Sequence, residues 1–229
     1  MAHNDALPSE RRRPKSPTPT HSHLNASQRV ADDRSRGAQR YGSGMPYFDP
    51  DIATDSVALI VKLAGGRLHK VAVLKLLYFA ERQAISKSIM MTRSTFYSMR
   101  RGPVSSEVLD LINGKTSSPR WSEYLTTVGD DVVLRQEPSD DHLCDAFEAW
   151  ILEHWNAHAG TFDPLEFPTA LVEYSHTLPE WQDPGANERV PITHEDILRA
   201  HNLTPEHIAE ILEDFEEVYC WRAWIERCA

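Results

Sequence analysis

Three groups of side chains could do chemistry by their type and spacing. The first is Arg100-Arg101-Gly102-Pro103-Val104-Ser105-Ser106-Glu107, which runs into the apolar helical pattern Val108, Leu109, Leu111, Ile112. Two cations beside a helix start are where a phosphate or other anion would sit. The simpler reading is a fixed Gly-Pro turn: Gly102 permits it, Pro103 sets its own φ, and Ser105 or Ser106 caps a helix over 106–113. No glycine-rich cradle accompanies the cations, which favours the turn. The second group is His154 and His158, four apart and on one helix face, a spacing that could serve a zinc ion. The glutamate of an HExxH pair and a third ligand are missing, so a surface histidine pair explains them more simply. The third group is Trp221 and Trp224, which fall off the apolar stripe of the last helix. They either pack against another part of the chain or form part of a protein-binding surface.

Other candidates carry less. Glu206, Glu210, Glu213, Asp214, Glu216 and Glu217 fall on the outer face of that helix, where solvation accounts for them. His194-Glu195-Asp196 belongs to a helix start, and Cys220 with Cys228 lacks zinc-knuckle spacing. There is no P-loop, dinucleotide glycine motif or nucleophile elbow, and nothing in the chain argues for catalysis.

The elements that must position these groups are mostly helical. Asp51–Gly66 reads as a helix with Ile52, Val57, Ile60, Val61 and Ala64 inward, stopped by Gly65-Gly66. Residues 68–88 read as a second helix, with apolar residues so widely spread around it that it should lie at the centre of the fold. Met91–Met99 is short and β-prone. Ser122–Val128 and Asp131–Glu137 flank Gly129-Asp130 as a β-hairpin. A helix opens at Asp140-Asp141 and runs to Gly160, and a further helix and loop follow with Pro168 at a boundary. Thr193 to Asp196 forms a capping box for a helix reaching His201. Thr204-Pro205-Glu206 then starts a last helix that buries Ile208, Ile211, Leu212, Phe215, Val218, Tyr219 and Ile225.

Charge divides the chain of 229 residues. Of 24 Lys/Arg and 34 Asp/Glu in total, residues 1–45 hold 8 and 4, a net of +4. Residues 46–229 therefore hold 16 and 30, a net of −14. The first segment is rich in Pro, Ser and Arg with little apolar content, so it is expected to be a disordered basic tail. The acidic remainder is expected to fold as one domain, mainly α with a small β-hairpin or sheet (α+β). Its charge argues against nucleic acid and favours a basic partner. A nucleic-acid-binding regulator would have to rely on Glu10-Arg11-Arg12-Arg13-Pro14-Lys15 and Arg100-Arg101. A metal-dependent hydrolase would have to rely on His154 and His158. Three cysteines, a polar N-terminal segment and no apolar run of membrane length suit a cytoplasmic protein without a disulfide framework.

Taken together, residues 75–112 resemble the Panacea domain, the SocA-like antitoxin domain of bacteria and phages. The matching positions are Lys75, Leu76, Leu77, Tyr78, Phe79 and Ala80, then Phe96, Gly102, Pro103, Val104, Glu107 and Val108. Ser175, His176 and Trp181 are similar to the family's later Ser-His…Trp segment. Arg101 departs from the aromatic or small residue that often precedes Gly-Pro. The resemblance spans roughly 50–220 and implies a protein with no cofactor that neutralises a cognate toxin by direct contact. For the SocA type it also implies delivery of that toxin to an AAA+ protease. The expected partner surface combines Arg100, Arg101, Gly102 and Pro103 with Trp221 and Trp224.

Overall fold

The computed structural model describes residues 1, 48–138, 143–186 and 189–228, with residues 219–228 described by their backbone alone. The basic 1–45 tail, the Asp140-Asp141 helix opening and the side chains of Trp221 and Trp224 thus lie outside the described residues. What is described is an α+β fold with two small antiparallel sheets of three strands each.

Helix α1 spans Pro50–Leu63. The Asp49 carboxylate accepts from the Ile52 amide at 3.2 Å, and Pro50 opens the first turn, where its missing amide hydrogen costs nothing. Gly65 and Gly66, at φ of +84° and +93°, turn the chain out of the helix. Strand β1, Arg67–His69, follows, and helix α2, Lys70–Ile85, begins immediately after it. The first residues of the apolar 68–88 stretch are thus strand rather than helix, and the His69 imidazole accepts from the Val71 amide at 3.1 Å as the cap. α2 is buried on nearly every face, from Val71 to Ile85, as its apolar spread requires.

Strands β2, Phe96–Met99, and β3, Gly102–Ser105, form a hairpin whose turn is Arg100-Arg101. Gly102 and Pro103, expected as the turn, are strand residues paired with Met99 and Ser98. An edge strand tolerates proline because its outward side has no ladder bond to lose. Helix α3, Ser106–Ile112, has Ser105 at its N-cap, but neither expected serine cap forms there: no side-chain bond is made, and the Ser105 hydroxyl is buried without a partner. The helix start is fastened instead by Glu107, which accepts from the Thr95 amide at 2.8 Å and the Thr95 hydroxyl at 2.7 Å.

Helix α4, Pro119–Tyr124, precedes the hairpin of β4, Leu125–Val128, and β5, Asp131–Leu134, so Ser122 to Tyr124 are helical rather than strand. β5 pairs with both β4 and β1, giving the first sheet in the order β1-β5-β4. Helix α5, Asp145–His158, ends in a single 3-10 turn at Ala159–Thr161. Helix α6, Thr169–His176, is followed by β6, Val190–Ile192, an unanticipated strand that pairs with β2 and completes the second sheet, β3-β2-β6. Helix α7, His194–Ala200, starts in the expected capping box: the Asp196 amide donates to the Thr193 hydroxyl and the Thr193 amide donates to Asp196. Helix α8, Pro205–Cys228, buries Ile208, Ile211 and Phe215, whereas Val218, expected inside, is exposed. No helix among the described residues is long and apolar enough to cross a membrane.

Candidate functional site

The residues that carry the resemblance converge on one place, where α2 meets the end of the β2–β3 hairpin. Lys75 lies in the middle of α2 and is 1% exposed. Its ammonium donates to the Pro103 carbonyl at 2.5 Å. Burial pulls the amine down from its ordinary 10.5 to about 7. Gly102, at φ +87°, is the neighbour that allows this approach. A Cβ there would stand 2.1 Å from the Ser175 hydroxyl and 3.0 Å from the Lys75 nitrogen, so no side chain fits without displacing both.

A second layer clamps the same hairpin from α6 and the segment after it. Ser175 is buried at the end of α6, and its hydroxyl donates to the Val172 carbonyl at 2.8 Å. The next residue, His176, stacks on Trp181 with ring centroids 4.0 Å apart. The Trp181 indole donates to the Met99 carbonyl at 3.2 Å, and the Gln182 amide donates to the Ser98 hydroxyl at 3.1 Å. Burial, with Lys75 nearby, holds His176 below its usual range. Between these anchors Glu180, 4% exposed, accepts from the Tyr78 hydroxyl at 3.0 Å and the Arg82 guanidinium at 2.6 Å. Burial and then the Glu180 charge push the Tyr78 phenol well up. Phe96 packs edge-on to Tyr78 at 5.5 Å, and Leu76 lies in the core at 2% exposure.

Above this junction lies a groove of about 490 Å³. Val71, Leu74, Val104, Leu109 and Met99 supply its apolar lining, with Lys75 among them. Arg100 and Arg101, in the hairpin turn, and Lys70, at the start of α2, add positive charge. The Arg101 guanidinium lies over the Phe167 ring at 5.1 Å, which His69 meets edge-on at 5.6 Å. Of the expected partner surface, the structure brings Arg100, Arg101, Gly102 and Pro103 together. Gly102 and Pro103 are buried and support the groove rather than face solvent.

Sequence reasoning missed Lys70, Val71, Leu74 and Leu109 as groove residues, because aliphatic groove and core positions share one periodicity. A signal was present in Lys75, the cation inside the otherwise apolar 71–80 run. His154 and His158 lie stacked, 6.5 Å apart, against Phe79 at 5.9 and 5.2 Å. Burial lowers both, His154 to about 4. Among the described residues no group of three or more His, Cys, Asp or Glu is placed to hold a metal.

No curated protein and no solved structure matches the chain. Residues 73–182 match the family model described as antitoxin SocA-like, Panacea domain, a span that runs from just before Lys75 to just after Trp181. Over those residues, somewhat under half of the chain, the protein is similar to the SocA-like Panacea-domain antitoxin family.

Proposed function

We propose that the protein is an antitoxin that neutralises a genetically linked toxin protein by direct contact, without catalysis of its own. The observation that carries this reading is the family match, whose motif residues build the junction that fixes the Arg100-Arg101 turn over an apolar groove. A rigidly held cationic turn beside apolar surface suits recognition of another protein, since pre-ordered groups lose little freedom on binding.

Co-expression with the product of the adjacent reading frame tests it. That product alone should arrest growth, and this protein should restore growth and co-purify with it. A harmless product, or one that still arrests growth beside this chain, overturns the reading. Delivery to an AAA+ protease is the finer form of the proposal. It requires the toxin's half-life to shorten when the antitoxin is present; restored growth with an unchanged half-life leaves direct neutralisation alone.

A further inference from the structure

The charge of the groove opposes that of the protein around it. Residues 46–229 carry a net of −14, a field that attracts basic partners. At the groove, however, Arg100 and Arg101 are exposed, and neither has a carboxylate within ion-pair distance among the described residues. Lys70 is engaged by Asp130 at 2.7 Å, a carboxylate on which Arg101 also acts at longer range, so the two guanidiniums are the groove's exposed cations without a direct ion pair among the described residues. Beside them the lining is aliphatic, and apolar surface continues outward from Arg101. Phe167, beneath its guanidinium, is 43% exposed, and Leu165 is 59% exposed. A volume of about 490 Å³ accommodates a few side chains rather than a whole element.

Resting on the antitoxin reading, we infer that this groove receives an acidic, apolar segment of the toxin. Its carboxylates meet Arg100 and Arg101, and a large aliphatic or aromatic side chain enters the space lined by Leu74, Val104 and Leu109. Arginine suits the role because its planar fork binds a carboxylate through two parallel bonds and also stacks on rings, as Arg101 already does on Phe167. The protein's own N-terminal segment, at +4, has the wrong sign to fill it. Net charge thus sets the long-range preference for a basic partner, while the groove selects a local acidic stretch within that partner.

The test is titration calorimetry of the full-length protein with an inactivated form of the adjacent gene's product, together with tiled 15-residue peptides of that product. The double variant Arg100→Glu/Arg101→Glu reverses the rim charge. Ala186→Trp, at an exposed lining position, fills the groove without touching the core. Both variants should melt with the wild type yet bind the toxin at least about tenfold more weakly. The peptide that binds should be acidic and apolar, and its affinity should fall with added salt. Wild-type affinity in both variants, or a basic peptide as the one bound, overturns the groove while leaving the antitoxin reading intact. A wild-type protein that neither binds nor rescues removes both. Gel filtration covers the remaining occupant: if Ala186→Trp turns a dimer into a monomer with toxin affinity unchanged, the groove holds a second copy and the inference fails.

Discussion

The two three-stranded sheets have the same size and antiparallel pattern but are held in opposite ways. The β1-β5-β4 sheet buries Leu68, Leu125 and Val132 in the core, but its ion pairs lie toward the surface. Arg67 meets Asp131 at 2.6 Å, Lys70 meets Asp130 at 2.7 Å, and Lys62, next to the sheet, meets Glu137 at 2.7 Å with both side chains more than half exposed. Its turn glycine, Gly129, has nothing within 4 Å of where a Cβ would stand. The β3-β2-β6 sheet is tied from inside, through Lys75, Ser98 and Trp181 and the close approach at Gly102. Exposed ion pairs contribute little and tolerate loss. Buried polar contacts are costly when left unmade, so they fix geometry narrowly. Of the motif residues, Phe96, Gly102, Pro103 and Val104 lie on the second sheet, and Lys75, Ser175 and Trp181 pack on it or bond to it.

The sharpest way to break that comparison is Gly102→Ala. A methyl group must enter at positive φ against the Ser175 hydroxyl, so urea denaturation should show a loss of about 3 kcal/mol or outright misfolding. Lys75→Met comes next, at about 1–2 kcal/mol near pH 7, because the Pro103 carbonyl loses its donor. Its pH dependence is diagnostic. The unfolded chain holds the lysine proton up to about 10.5 and the folded chain only up to about 7. Between those values the unfolded state binds more protons, so stability rises with pH; below 7 both forms are protonated and the contribution is flat. Melting curves from pH 7 to 10 should therefore show the deficit of Lys75→Met growing, and a constant difference would mean that the amine titrates normally.

In the other sheet, Gly129→Ala meets only the cost of its φ of +65°, about 1 kcal/mol by thermal melting. The smallest effect is expected from Arg67→Ala, below about 1 kcal/mol and vanishing in high salt. Equal losses for Gly102→Ala and Gly129→Ala would erase the distinction between the sheets.

The parts of this fold that were legible in the sequence are those specified by neighbours in the chain. The α1 helix, the central α2, the β4–β5 hairpin, the Thr193 capping box and the Thr204-Pro205 start all rest on signals a few residues long. Strands β1 and β6 were not legible. Three residues are too short to show alternation, and their partners, β5 and β2, lie far along the chain. The Gly-Pro pair misled for a related reason. Its glycine answers a tertiary demand, room for Ser175 and Lys75, and the two arginines before it make the turn. The motif residues of the site came from family resemblance, but the groove that they support had no sequence signature, because Leu74 and Leu109 look like any core leucine.

Pro103 has a further consequence for how this protein can be touched. Its carbonyl, which points away from β2, is taken by Lys75, and on that same outward side it has no amide hydrogen to offer. By the alternation of an antiparallel ladder, Pro191 holds the matching outward position on β6, the other border of the sheet. A foreign strand that tried to extend the sheet from either border would find a missing donor in the middle of its run. Recognition by strand addition is therefore closed at both borders, and so is the route by which open sheets aggregate. A partner must read this face through side chains, and the hairpin that presents the two arginines stays unpolymerised when the protein is crowded.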